Sequence, residues 1–195
     1  AGVVNGIVYA IGGHNGTSEL ATVEAYDPAA NAWTSKAPMP TARHQAAIGV
    51  VNDVIYVAGG YATSRQIGTL EAYDPTTNTW AAKAPMPTPR EGRGAVVNGK
   101  LYVIGGNASG FCSSVVEAYD PASNSWSTLA SMPTPRCHFP VVAVNGILYA
   151  LGGTNTSGTT TYATVEAFDP VSNSWTTKTA MPTPRDYLGA VAIHG

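Results

Sequence analysis

The chain has 195 residues and a mass of 20.1 kDa, with 44% hydrophobic and 11% charged residues, 21 glycines, 14 prolines and a formal net charge of -2. No apolar run is long enough to span a bilayer as a helix, and no basic block could track a phosphate backbone, so neither a membrane span nor general nucleic-acid binding is expected. The first residue is Ala rather than Met and no charged-then-apolar leader precedes it, so any targeting segment is expected to lie outside this sequence, and the compartment stays open.

Read in order, the chain repeats itself four times. Gly12-Gly13 returns as Gly59-Gly60, Gly105-Gly106 and Gly152-Gly153, at spacings of 47, 46 and 47 residues. The copies run approximately over 1–43, 44–90, 91–136 and 137–185, and 186–195 closes or continues the array. A period of this length belongs to propeller blades or helical solenoids. Val, Ile, Tyr, Thr and Trp fill short runs and Gly and Pro interrupt any helix, which selects strands.

Each copy reads as four strands, A to D. In the second copy A covers about Gln45 to Val51, B about Val54 to Gly60, C about Thr69 to Tyr73 and D about Thr79 to Lys83. Asn5-Gly6, Asn52-Asp53, Asn98-Gly99 and Asn145-Gly146 separate A from B, where a two-residue hairpin requires positive φ at both positions. Between C and D, Asp27-Pro28-Ala29-Ala30-Asn31 and its counterparts supply a side-chain acceptor, a preset φ and a left-handed Asn.

Glu-Ala-Tyr-Asp-Pro follows each glycine pair, with Phe168 for Tyr in the last copy. Trp33, Trp80, Trp126 and Trp175 follow at a fixed distance, and each copy ends on Met-Pro-Thr and an arginine: Arg43, Arg90, Arg136 and Arg185. The combination of a double glycine ending one strand, then Tyr, then Trp, resembles the kelch repeat over essentially the whole chain. The resemblance implies an all-β, kelch-type β-propeller of four four-stranded blades, alone or as part of a larger or oligomeric ring. The tryptophans are expected in blade-to-blade packing, and the glycine pairs where strand B bends or approaches a neighbour closely.

In an antiparallel A–B–C–D blade, the D–A and B–C connections emerge on one face, at one mouth of the central channel. The B–C loops, beginning at His14, Tyr61, Asn107 and Thr154, are the most varied segments, and variable loops on a repeated scaffold carry specificity. In kelch adaptors that present substrates to ubiquitin ligases, arginines at the entry to strand A grip acidic groups of a bound peptide. The resemblance carries this role to Arg43, Arg90, Arg136 and Arg185, whose planar donor forks suit carboxylates. The alternative is internal pairing, with Glu91 and Asp186 directly after two of them as partners.

The expected function is therefore a non-catalytic propeller that binds a protein or acidic peptide at the mouth. The alternative is the propeller portion of a secreted carbohydrate-binding or carbohydrate-active protein, resembling galactose oxidase or sugar mutarotases, with a glycan as ligand. The copper-radical oxidase site needs a Tyr-Cys cross-link, a second Tyr and two histidines, and His14, His44, His138 and His194 offer no evident way to build it. Glu91 with Arg90 and Arg93 is the one candidate cluster for carboxylate-based sugar chemistry. No metal-ligand spacing is present, and no cofactor is expected. Cys112 and Cys137 face the same mouth from adjacent blades; a disulfide is geometrically feasible, with free thiols the default in a reducing compartment. Asn15, Asn107 and Asn155 sit in glycosylation-type triplets within loops.

The ends overlap: Ala1-Gly2-Val3-Val4-Asn5-Gly6 aligns with Ala190 to Gly195. Asp186 to Ile193 reads as a further strand A, followed by the hairpin pair His194-Gly195. Three arrangements are open: a piece of a longer propeller, a closed four-bladed ring, or two copies joined through open blade edges.

Overall fold

The structure, a computed structural model, describes residues 1–193. Among these there is no helix, and the strands form four four-stranded antiparallel sheets. The first blade comprises β1 (Gly2–Val4), β2 (Ile7–Ile11), β3 (Val23–Asp27) and β4 (Ala32–Ser35). The second has β5 (Ala47–Val51), β6 (Val54–Ala58), a short hairpin of β7 (Tyr61–Ala62) and β8 (Arg65–Gln66), then β9 (Leu70–Asp74) and β10 (Thr79–Lys83). The third is β11 (Glu91–Val97), β12 (Lys100–Ala108), β13 (Phe111–Asp120) and β14 (Ser125–Leu129). The fourth is β15 (Val141–Val144), β16 (Ile147–Leu151), β17 (Val165–Asp169) and β18 (Ser174–Lys178).

The turn chemistry forms as expected. Asn5, Asn52, Asp53, Asn98 and Asn145 all have φ between 49 and 61°, as tight A–B hairpins require. At the C–D turns, Asn31, Asn78, Asn124 and Asn173 have φ between 48 and 54°, and Asp27 accepts a bond from the Ala29 amide at 2.8 Å. In the second copy, strand B stops at Ala58 rather than Gly60, because Gly59 (φ 65°) and Gly60 (φ 99°) are left-handed and leave the ladder. Strand A starts two residues late because Gln45 is itself left-handed, at φ 55°.

Packing between blades comes from the two faces of strands B and C. Tyr9, Val23 and Ala25 of the first blade meet Ile55, Val57 and Tyr73 of the second. Tyr56, Leu70 and Ala72 then meet Leu101, Val103 and Tyr119, and Tyr102, Val116 and Ala118 meet Leu148, Ala150 and Phe168. The inner strands β1, β5, β11 and β15 pack side by side in that order. Gly49 permits this approach, since a Cβ there would lie 2.6 Å from Val96 and 2.7 Å from Leu101.

These apolar clusters join blades one to two, two to three and three to four, and among the described residues none joins four to one. The blades form an open arc, and closure into a four-bladed ring is not seen. The expected last strand is corrected as well. Asp186 to Ile193 forms no strand, because in the open arc no strand B stands beside it among the described residues and β2 is already paired with β1. The pair His194-Gly195 lies outside the described residues.

Candidate functional site

The recurring arginines enter strand A at the mouth side, but three of them turn inward. Arg43, Arg90 and Arg136 are at most 1% exposed, so they offer no guanidinium to a ligand at the mouth. Each is bound by the blade that follows it. Arg43 pairs with Glu71 and donates to the carbonyls of Gly59 at 3.1 Å and Thr69 at 2.8 Å. Arg90 pairs with Glu117 and donates to Gly105 and Val103. Arg136 pairs with Glu166 at 2.7 Å and donates to Gly152 at 2.7 Å and Thr164 at 3.1 Å. Their partners are the strand C glutamates, not Glu91 or Asp186.

Burial lowers each guanidinium pKa, and the paired glutamate opposes that shift. The backbone of the same arginines ties the linker to the preceding blade: Gly13, Gly60, Gly106 and Gly153 donate to the carbonyls of Arg43, Arg90, Arg136 and Arg185. The double glycine and the arginine are thus two parts of one cross-blade joint. Two further contacts repeat with it. Trp80, Trp126 and Trp175 each donate an indole N–H to the carbonyl of Ala37, Ala84 and Ala130 on the preceding blade, at 2.8–2.9 Å. Asn78, Asn124 and Asn173 accept from the amides of the same three alanines. Trp80, Trp126 and Trp175 therefore act in blade packing, as half-buried clasps at the rim rather than in the deep core, whereas Trp33 is 58% exposed and makes no such bond among the described residues.

The mouth is built instead from residues that differ between copies. Two places after each recurring arginine stand Gln45, Gly92, His138 and Tyr187. Gln45, His138 and Tyr187 have φ of 55, 55 and 50°, a left-handed backbone that a non-glycine side chain holds at a cost of order 1–3 kcal/mol. Gln45 and His138 line a recess with Glu91, Arg93 and Asn107. Glu91, 9% exposed, accepts from Gln66 at 3.1 Å. Arg93 is half-buried and, among the described residues, has no carboxylate within ion-pair distance. Burial lowers its pKa, and the charge of Glu91 opposes that shift. His44 Nδ1, Gln45 Oε1 and His138 Nδ1 are buried polar atoms without a hydrogen-bond partner. Gln45 and His138 share the recess with Arg93, and it is the guanidinium there that suits a polar, anionic ligand.

Of the B–C loops, the third lines this recess with Asn107, and the second reaches it through Gln66, which donates to Glu91 and Asn107. His14 is exposed and packs edge-on against His44, which also packs against Tyr61. Asn107 and Thr154 line a second hollow of about 360 Å³ beside His138, Asp186 and Tyr187. Thr154 is itself buried, bonded to Cys137 through the backbone and to the Thr160 carbonyl at 2.9 Å. Cys112 and Cys137 form a disulfide across blades three and four, where free thiols were the default expectation. Phe111, 68% exposed, tips the β12–β13 hairpin, and Tyr187, 69% exposed, stacks on His138 at 4.0 Å. Arg185 is exposed at the end of the arc. Gln45, His138 and Tyr187 carried no repeat signature, and their signal was variation two places after an invariant arginine; Arg93, three places after Arg90, is a charge that no other copy repeats.

Four sheets with these joints define the class: a β-propeller array of kelch-type blades. The model of the KLHDC2/KLHL20/DRC7 Kelch-repeats domain matches residues 1–195, and the chain belongs to the kelch-repeat family. A human relative, Kelch-like protein 35, is 46% identical over 46 residues, the length of one repeat, covering 24% of this chain and 8% of that protein. A solved structure described as "Structure of YjhT" superimposes with a TM-score of 0.76 at 18% identity, over 90% of this chain and 66% of that one.

Proposed function

We propose that the chain is a non-catalytic protein-interaction scaffold whose mouth holds an acidic segment of a partner protein. The observation that carries this reading is Arg93: a half-buried guanidinium, free of an ion-pair partner among the described residues, sharing a recess with Gln45 and His138, each of which keeps a buried polar atom without a partner. A carboxylate reaching Arg93 would gain a bidentate contact in a partly desolvated site, where such bonds are strongest. Phe111 and Tyr187 stand exposed at the rim as aromatic anchors, the residue types that dominate protein interfaces. Membership in a family of interaction scaffolds supports the same reading.

The test is a fluorescence titration of the purified chain with acidic peptides, the corresponding amidated peptides and neutral glycans. Acidic peptides bind, amidation abolishes binding, and Arg93→Ala weakens it by about 10-fold to 100-fold while leaving the melting temperature unchanged. Binding that survives Arg93→Ala, or preference for the glycans, contradicts the proposal.

A further inference from the structure

The chain holds two cysteines, and their bond ties together two walls of the mouth recess. Asn107 stands on the wall that the third blade supplies, and Cys112 is its cross-strand partner in the β12–β13 hairpin. His138 stands on the wall at the entry to the fourth blade, and Cys137 directly precedes it. Asn107 and His138 line both the recess and the neighbouring hollow of about 360 Å³, and both cysteines line that hollow. Cys112 is half-buried and Cys137 is 4% exposed, so Cys112 is the one open to a small thiol.

Apart from the disulfide, the two cysteines are anchored unequally. Cys137 exchanges two backbone hydrogen bonds with the buried Thr154, both at 3.0 Å. The Cys112 amide donates instead to the Thr156 hydroxyl, at 2.9 Å, on an exposed loop. Beyond Cys112 the hairpin tip turns through Ser109 (φ 51°) and Gly110 (φ 86°). Inward of the tip the register shifts between Ile104 and Gly106, which sets the last pairs, Gly106–Ser113, Asn107–Cys112 and Ala108–Phe111, apart from the rest of the sheet. The blades themselves are joined without the crosslink, by Arg136 on Glu166, by Trp175 on the Ala130 carbonyl and by the apolar cluster around Phe139. What the disulfide immobilises is therefore the tip. That tip positions Asn107, whose Oδ1 accepts from the Gly110 amide at 3.0 Å and from Gln66 at 3.4 Å.

We propose that Cys112–Cys137 is a redox latch on the recess: oxidised, it fixes the Asn107 wall; reduced, it frees the hairpin tip and weakens ligand binding. This inference rests on the recess being the site that takes an acidic segment. The co-reactant is a small dithiol. One of its thiolates attacks the Cys112 sulfur, the Cys112–Cys137 bond breaks, and Cys137 leaves as a thiolate that takes up a proton. The second thiolate then attacks the reductant's own sulfur in the mixed disulfide and releases Cys112 in the same way. Two electrons and two protons have passed to the protein, and the dithiol has closed to its own disulfide. The freed tip keeps its few strand pairs and the bond to Thr156. A ligand must then order Asn107 and Gln66 as it binds, which costs affinity.

The test follows a fluorescent peptide of consecutive glutamates, by anisotropy, on the 195-residue chain purified without reductant and on the same chain reduced with dithiothreitol. Thiol titration finds no free thiol in the first sample and two in the second. Reduction weakens peptide binding by about 10-fold or more, and reoxidation restores it. Chymotrypsin cleavage after Phe111, at the tip, speeds up by about 10-fold or more on reduction and precedes cleavage after Phe168 in β17. Cys112→Ser/Cys137→Ser binds like the reduced chain and ignores dithiothreitol, and circular dichroism is the same for all samples. Equal affinity in both redox states overturns the latch and leaves the reading of Arg93 standing. Binding in neither state overturns both. Free thiols in the unreduced sample, or cleavage after Phe168 ahead of Phe111 on reduction, overturns the latch as well, the second because the fourth blade itself would then have opened.

Discussion

A single arginine does two jobs in this fold, and both follow from where its side chain goes. The backbone carbonyl of Arg90 accepts from Gly60 of one blade while its guanidinium lies against Glu117 and Gly105 of the next. The arginines stood out in the sequence, but their destination did not. The signal that names it is a glutamate following each by 27 to 30 residues in three copies. Other single residues give separate tests. His138 titrates below its usual 6.5 because of burial and the adjacent Arg93 charge, which outweigh the opposing pull of Glu91 and Asp186. The folded state thus resists a proton that the unfolded chain accepts near pH 6.5, so this contribution to stability is complete above that pH and lost as pH falls through the folded value. Urea midpoints measured at successive pH values between 7.5 and 5 should fall, and His138→Asn should remove part of that fall. Tyr119, fully buried, has its pKa pushed up to about 12 by burial, then by Tyr56 and Asp120. Its share of stability is intact below pH 10 and lost as pH rises toward 12. Tyr119→Phe should flatten that alkaline loss in pH-dependent urea melts, at a cost of about 1 kcal/mol for the bond to Asn124.

At the scale of elements, turn residues were the most readable part of the chain, because Asn-Gly hairpins and Asp-Pro turns depend on local backbone conformation alone. Strand ends were less readable, since Gln45, His138 and the glycine pairs of the first, second and fourth copies leave the ladder, whereas Gly105-Gly106 stay within β12. The B–C connections differed most from expectation. In the third blade they extend into a hairpin from Lys100–Ala108 to Phe111–Asp120, pinned to the fourth blade by Cys112–Cys137 and by the Cys112 amide on Thr156 at 2.9 Å. No local pattern announces such a link, because its partners are set by the approach of two blades. The disulfide spans 25 residues, so replacing both cysteines with serine should lower unfolding free energy by about 3 kcal/mol in guanidinium titrations. Gly49→Ala should cost about 1–3 kcal/mol in the same assay, because its Cβ would meet Val96 and Leu101 in the neighbouring inner strand.

The whole molecule is a row of blades in which each unit is stabilised by its neighbours, so protection should be highest where a blade has two of them. Hydrogen exchange is expected to be slowest in β6, β9, β12 and β13 and faster in β3 and β17, which each lack one flanking blade. The period, strand order and blade number were legible from self-comparison, since every repeat carries the same landmarks. Closure was not legible, because it depends on the accumulated angle between blades, which no single repeat encodes. The joints that set this angle are the centre of the account, and a double-mutant cycle on Arg90 and Glu117 in denaturant unfolding tests them most directly. Each single alanine variant should lose about 3–5 kcal/mol, with a coupling of about 2–3 kcal/mol between the two positions. Single losses near zero that simply add would show that these arginines do not hold the blades together.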